Sequence, residues 1–382
     1  MEKKLSVMME TKACTGCSAC LNVCPTQALT MESDQEGFWY SVIDEGQCIG
    51  CGACEDVCPV IHALRSEENI MAETAPTAGG NPLIYAAWSL DQEIRYHSTS
   101  GGIFSELALS VLAKGGYVCG AIYDHQHMVK HAIIDHAQDL AKLRQSKYVQ
   151  SDMNSIYKEI GNLLKQGEEL LFCGSPCQCA GVFHYCEKSG IDAKNLYLVD
   201  FICRGSNSPK VYRKFLDELE AEQQSKVKKV WFKNKIYGWN RFSTKVEFEN
   251  GEAYLEDRYH DAYIRGYIEE NLFIRPSCAA CYFKGFQRHS DLTLADFWGI
   301  QLKDDSQDID GGTSMAIIHT EKGQTLWASV SSRIFSEAKT LEEAAMGNAC
   351  LYNSALPGIH REQFMADLDR RPVMDNIKRF LK

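Results

Sequence analysis

The stretch "CTGCSACLNVCP", residues 14–25, returns as "CIGCGACEDVCP", residues 48–59. Both copies space their cysteines C-x2-C-x2-C-x3-C and follow the last with proline. In that run three thiolates hold one [4Fe-4S] cluster, and the fourth reaches across to the neighbouring one. The spacing therefore groups Cys14, Cys17, Cys20 and Cys58 as one ligand set, and Cys48, Cys51, Cys54 and Cys24 as the other. Four cysteines at C-x2-C spacing also suit zinc, but the doubled pattern with its two Cys-Pro endings favours iron and sulfur. Gly16, Ala19, Gly50, Gly52 and Ala53 let the backbone wrap a cluster closely and aim amides at its sulfurs.

Outward from these motifs, "ALTMESDQEGFWYSVIDEGQ" between them reads as a hairpin about the turn signal "SDQEG". Residues 1–65 thus form a bacterial-ferredoxin-like domain expected to hold two [4Fe-4S] clusters. Its four basic side chains stand against nine acidic ones, a balance that suits docking to a basic redox partner and equally an ordinary solvated surface. The 382-residue chain carries a formal charge of −11 and no block of Lys and Arg, which argues against nucleic acid as a partner. No apolar run is long enough for a membrane span, and no signal-peptide core precedes the first cysteine, so the expected location is cytoplasmic. Seventeen cysteines in a reducing compartment point to metal rather than disulfides, and to an anaerobic host.

"SEENIMAETAPTAGGNP" is polar, holds two prolines and a Gly-Gly, and lacks any period, so 66–82 reads as a linker. Residues 83–382 then alternate strand and helix patterns: strands "LIYAAWSL", "YVCGAIY", "VKHAIID", "ELLFCG" and "NLYLVDFIC", with helices near 103–114, 155–166, 176 onward and 208–224. That order predicts an α/β body with a mixed sheet and functional loops at strand ends, so the whole chain combines an α+β unit with an α/β one. "VEFENGEAYLE" adds a hairpin through Asn250-Gly251. Ser100 is a candidate N-cap for the first of those helices. Thr99, Ser100, Gly101 and Gly102 would present hydroxyls and amides at its start, where a phosphate binds readily; capping alone accounts for the same residues.

Taken together, "STSGGIFSELA", "SKYVQSD", "CGSPCQCAG", "DFICRGSNSPKVY", "FKNKIYGWNRFS", "RPSCAACYFKGFQRHSDLTLADFWGI" and "GGTSMAIIHTEKG" resemble, in order, the coenzyme F420 hydrogenase/dehydrogenase beta-subunit family. The matching subgroup carries an N-terminal two-cluster ferredoxin segment. The resemblance implies FAD in the α/β body, exchanging electrons between the clusters and an organic molecule. In methanogen enzymes that molecule is coenzyme F420, which is a candidate substrate here if the host makes it; a plant relative reduces a chlorophyll hydroxymethyl group. A ferredoxin-like protein or a catalytic subunit is the implied redox partner. By motif, the resemblance makes Thr99, Ser100, Gly101 and Gly102, together with Gly174, Ser175, Pro176, Cys177 and Gln178, the FAD-contacting loops, with Cys203, Arg204 and Gly205 approaching as well. Cys177 stands out as a flavin neighbour or cluster ligand. "ICRG" departs from a frequent Cys-His-Gly: Arg204 can hold an anion but cannot shuttle a proton as histidine does. Cys177, Cys203 and Arg204 are the catalytic candidates.

Cys278 and Cys281 form a further C-x2-C pair in "RPSCAACYFKGF". With two more thiolates from among Cys173, Cys177, Cys179 and Cys203 they would hold a third [4Fe-4S] cluster; alone they are a free pair near the flavin or an interface. Cys119, Cys186 and Cys350 read as core, as do Trp231, Trp239 and Trp298 packing near a flavin. His184 and His289 are candidates for proton transfer, and Asp296 for orienting a cofactor group. The expected activity is that of an FAD- and [4Fe-4S]-dependent oxidoreductase; the alternative is an electron-transfer subunit without substrate specificity of its own.

Overall fold

The computed structural model describes residues 12–70 and 82–382, the side chains of 66–70 excepted. Residues 1–11 of the expected first domain and 71–81 of the expected linker lie outside the described residues. The two cysteine runs fold as repeats of one another. Helix α1 (Ala19–Val23) and helix α2 (Ala53–Asp56) lie within the two runs, and hairpin strands β1 (Leu29–Ser33) and β2 (Trp39–Ile43) lie between the runs. Gly16 and Gly50 have φ of 70° and 69°, and the residues before the two helices, Ser18 and Gly52, have 64° and 74°. The left-handed turns that glycine permits are thus repeated, with Ser18 adopting one where the second copy has glycine. Helix α3 (Pro59–Ile70) runs on into the stretch that reads as a linker.

The body is built on an eight-stranded mixed sheet. Its strands are β3 (Leu83–Ser89), β4 (Tyr117–Tyr123), β5 (Val129–Ile134), β6 (Leu170–Cys173), β7 (Leu196–Phe201) and three from the C-terminal half. Helix α4 (Ile103–Leu112) joins β3 to β4, α5 (Ile156–Lys165) precedes β6, α6 (Pro176–Lys188) joins β6 to β7, and α7 (Pro209–Gln223) follows β7. Strands β8 (Val227–Asn234), β9 (Ser243–Phe248) and β10 (Ala253–Asp257) form a separate antiparallel sheet that includes the Asn250-Gly251 hairpin. After helix α8 (Ala262–Ile268) come β11 (Leu292–Asp296), β12 (Ser314–Ile318), helix α9 (Glu321–Ala328) and β13 (Ile334–Lys339). The large sheet runs β13-β3-β12-β11-β7-β6-β4-β5, with β11, β7, β6 and β4 parallel and β12 antiparallel to both β3 and β11.

Strand β6 is apolar on both faces because both are covered. Leu170 and Phe172 pack under α5 and α6, where Cys17 and Val57 of the dicluster segment join the same core. Leu171 faces α4 with Leu107 and Val111. The carboxyl ends of β3, β11, β7, β6 and β4 all reach one edge of the sheet, so the loops after them share it. Helix α7 starts on Ser208, whose hydroxyl accepts from Val211 N, followed by Pro209; it buries Val211, Tyr212, Phe215, Leu216 and Leu219 at helical spacing against the three-stranded sheet.

The dicluster segment is tied to the body at several points. Arg361 grips Glu36 with both Nη atoms, at 3.0 and 2.5 Å. Lys188 pairs with Asp56 at 2.8 Å, and Asn22 donates to Asn154 O at 2.7 Å. At Gly37 a Cβ would lie 2.2 Å from Lys210 Cβ, so the hairpin turn can sit on α7 only as glycine.

Candidate functional site: three cysteine sets

Cys14, Cys17, Cys20 and Cys58 line one cavity beside Met31 and Ser41. Burial pushes Cys17 up to about 12 and Cys20 well above the ordinary thiol value, and the neighbouring thiols of the same set add to both shifts. Thiols gathered this closely give up their protons only to a cationic centre that offsets the thiolate charge. Gly16 N donates to Cys14 Sγ at 3.3 Å, the amide-to-sulfur contact expected of a cluster-wrapping loop.

The second set is nearer the surface. Cys51 is exposed while Cys24, Cys48 and Cys54 are part-buried. Burial raises Cys54, to which Glu55 and then Cys48 contribute. Cys24 is lowered: desolvation is outweighed by the hydroxyl of Thr26 and by amides of Ala28, Thr26 and Gln27. Ile49, 66% exposed, stands at the rim of this loop. Burial pushes Cys58 up to about 11, with Cys14 and then Cys54 adding, so Cys58 feels a thiol of each set.

A third set comes from distant parts of the chain. Cys177 opens α6, Cys203 follows β7, and Cys278 and Cys281 sit on the short helical turn Pro276–Ala280 and just after it. All four line a cavity of about 580 Å³, solvent-open mouth included. The thiols stand around its wall rather than closing on a point; among the described residues no three His, Cys, Asp or Glu side chains are set for a single metal ion. Burial drives Cys203 well above its ordinary value, Cys278 adding to it and Lys284 opposing. Burial likewise pushes Cys177 up to about 12, with Ser175 opposing and Cys281, Cys17 and Cys278 adding. Ser206 N donates to Cys278 Sγ at 3.4 Å, and Lys284 Nζ donates to Cys203 O at 2.7 Å. Thr15 lines both this cavity and the first, so the two sites adjoin.

Cys173 and Cys179 stand apart from this cavity. Cys173 ends β6 facing the α4 side, and Cys179 is fully buried in α6 with its Sγ near Val199 O at 3.6 Å. Cys119 and Cys186 are core. Cys350, which the sequence suggests is core, is part-buried, 3.9 Å from Arg204 Nη1.

The residues with expected flavin contacts fall into two groups. Ser175, Pro176, Cys177, Cys203, Arg204 and Gly205 border the cavity of the third cysteine set. Ser175 and Gln178 form a capping box for α6, and Gly174 sits tight against the Phe172 ring. Arg204 donates through Nη2 to Ile268 O and to Asn271 Oδ1, so its fork is bound to the end of α8. The Thr99–Gly102 loop lies elsewhere along the same sheet edge. Its N-cap is Gly102, with φ 89°, rather than Ser100. Ser100 Oγ donates instead to Thr313 O at 2.7 Å, Thr99 Oγ1 bonds Ser146, and Gly101 N donates to Ser314 Oγ. A Cβ on Gly101 would lie 2.4 Å from Ala87 O, so this glycine is required by strand packing itself.

Around that loop the chain gathers buried cations. Lys235 Nζ donates to the carbonyls of Arg95, Ser100 and Gly311, and Lys147 Nζ to those of Leu143, Arg144 and Gln145. Neither forms an ion pair among the described residues, and burial brings each down to about 7. Arg144 Nε reaches Ser105 Oγ at 3.1 Å. Buried cations held only by carbonyls are costly alone; with all three protons of each ammonium already on carbonyls, they could act on a nearby anion only through their charge. Asp296 is engaged by Lys233 and, at 2.8 Å, by Trp239 Nε1. His184 and His289 meet a third histidine, His62 of α3: the rings of His62 and His184 stack at 3.9 Å, and those of His184 and His289 meet edge-on at 4.9 Å. The sequence gives no sign of this grouping, nor of Lys147 or Lys235, because each depends on contacts between distant segments.

The doubled cysteine run beside an α/β body defines an iron-sulfur electron-transfer protein. Comparison with known families agrees: the description "4Fe-4S dicluster domain" matches residues 13–61. Of the family described as "Coenzyme F420 hydrogenase/dehydrogenase, beta subunit", the N-terminal part matches 84–158 and the C-terminal part 167–344. The chain belongs to the coenzyme F420 hydrogenase/dehydrogenase beta-subunit family. A search of curated proteins finds no match. Among solved structures, a chain of the F420-reducing [NiFe] hydrogenase complex from Methanosarcina barkeri is similar, with 19% identity and a TM-score of 0.48 over 80% of this chain and 94% of that one. Among the described residues no helix is long and apolar enough to cross a membrane.

Proposed function

We propose that this chain is an iron-sulfur flavoprotein oxidoreductase that moves single electrons inward along three [4Fe-4S] sites. The observation that carries this reading is the gathering of Cys177, Cys203, Cys278 and Cys281 on one cavity that adjoins the Cys14, Cys17, Cys20 and Cys58 site. The four lie up to 104 positions apart in the chain, and the shared sheet edge brings them to one wall. In this reading Cys48, Cys51, Cys54 and Cys24 hold the outermost cluster, whose exposed rim at Cys51 and Ile49 receives the redox partner.

The cationic edge around Thr99–Gly102 would hold the phosphates of FAD, with Lys147 and Lys235 as the charged partners. When bound, FAD supplies the exchange between one-electron carriers and a two-electron organic acceptor or donor. The chain's own residues orient it and exclude water at the carboxyl edge of the sheet. The acceptor is a small organic molecule, coenzyme F420 where the host makes it. The first domain spans 1–65 and the flavin-binding body 83–382.

A second reading, a relay subunit of a larger hydrogenase or dehydrogenase, is favoured by the family's description as a beta subunit. Anaerobic purification followed by flavin analysis and reduction with a low-potential ferredoxin tests the proposal. Bound flavin that bleaches on ferredoxin addition is expected; a chain that binds no flavin contradicts it. Turnover of the organic substrate only in a partner's presence would favour the relay.

A further inference from the structure

Arg275 is 1% exposed and lies three residues before Cys278. Its guanidinium reaches across the seam between dicluster segment and body. Nε donates to Cys14 O, Nη2 to Trp39 O and Nη1 to Gln150 Oε1, each at 2.9 Å. The ring of Tyr40 lies 4.3 Å from it and that of Phe38 5.4 Å. At Gly16 a Cβ would fall 2.2 Å from Gln150 Nε2 and 3.1 Å from Arg275 Nη1, so that glycine keeps room for the fork.

Arg275 forms no ion pair among the described residues; its partners there are neutral carbonyls, an amide and aromatic faces. A fully buried guanidinium without a counter-charge is costly, and neutral acceptors offset only part of the cost. The anions available are the two thiolate sets on either side. Cys14 is bonded through its own carbonyl, and the amide of Cys278 donates to Arg275 O at 3.0 Å.

Resting on the iron-sulfur reading above, we propose that Arg275 is a tuning and positioning residue for the innermost site of the dicluster segment. It holds the Cys14 loop against the Cys278 loop and, by its buried charge, raises the reduction potential of the group bound by Cys14, Cys17, Cys20 and Cys58. Each transfer between sites moves one electron and no atom: the outer site loses the electron that the inner one gains. A fixed positive charge favours the more negative, reduced state, and burial shields it from salt screening. Arg275 therefore shifts the balance between the surface site and this one towards the inner site.

The test is a potentiometric titration followed by electron paramagnetic resonance on the full, anaerobically loaded chain, with iron counted in the same samples. Arg275→Gln is expected to keep its iron and to lower one midpoint so that the reduced-to-oxidised ratio at fixed potential falls at least tenfold, about 59 mV for a one-electron couple. Arg275→Lys, which keeps the charge, should stay within about threefold of wild type. Should Arg275→Gln fail to load, Gln150→Glu sets an anion against Nη1 and should lower the same midpoint. Midpoints unmoved in the variant that loads, or a Lys variant that falls as far as Gln, would overturn the proposal. A wild-type chain without iron-sulfur signals would instead sink the reading on which it rests.

Discussion

Tyr157, buried in α5, donates its hydroxyl to the carbonyl of Cys17 at 2.6 Å. This contact joins the body to the cysteine loop without involving the thiol. Tyr157→Phe leaves a buried carbonyl unpaired, a loss of about 1–3 kcal/mol. Denaturant unfolding should register it while the iron content stays at the wild-type level. A variant of unchanged stability would mean the carbonyl finds another partner.

The cysteines of "CGSPCQC" should separate cleanly. Cys177→Ser, like Cys203→Ser or Cys281→Ser, is expected to lose about four irons per chain, one cluster's worth. Cys173→Ser and Cys179→Ser should keep the full count, since neither lines the cavity. Iron and labile sulfide assays on the five variants decide the matter, and loss on changing Cys179 would refute the assignment.

Flavin retention should follow the charge of the buried cations, which the loop hydroxyls lack; both are hydrogen-bonded inside the protein. Lys235→Met is expected to lower FAD affinity about tenfold, roughly 1.4 kcal/mol. Gly101→Ala should fail differently, in folding, because its Cβ would strike Ala87 O. Flavin titration of the Lys235 variant alongside its thermal unfolding distinguishes the two; equal FAD affinity would remove Lys235 from the site.

Acid should destabilise the body through its buried histidines, His131 and His319 among them. Burial lowers His131 to about 4, and burial together with the Arg288 charge lowers His319 to about 4, from an ordinary 6.5. Between those values the unfolded chain binds protons that the folded one does not, so stability is full above about 6.5 and falls as pH drops toward 4. The slope is about 1.4 kcal/mol per pH unit for each histidine. Unfolding series at pH 7, 6 and 5 should show a shallower loss in His131→Gln than in wild type; parallel curves would contradict the role of His131.

The eight N-terminal cysteines are legible because cluster ligation there is local, set by spacing within a dozen residues. The α/β body is legible for a similar reason, each strand and helix carrying its own period. What spacing does not encode is where separated segments meet. Cys278 and Cys281 announce a pair, but their companions emerge only when β6 and β7, adjacent in the sheet, bring Cys177 and Cys203 to the same edge. Arg275 reads as an ordinary arginine before a proline, and only its three contacts across the seam give it a role. Ser100 looks like a cap because serine often is one; the glycine pair beside it lets the helix start two residues later and turns the hydroxyl toward Thr313. The insertion of antiparallel β12 between β3 and β11 is likewise invisible to local pattern.

On the proposed function the chain holds three cluster sites, each adjoining the next. Iron and acid-labile sulfide per chain, determined on anaerobically purified protein with Mössbauer spectra to confirm cluster type, test it most directly. About twelve irons and as many sulfides, all in [4Fe-4S] form, is the expected result. About eight, unchanged by Cys203→Ser, would contradict it and leave Cys177, Cys203, Cys278 and Cys281 as free thiols on a cavity wall.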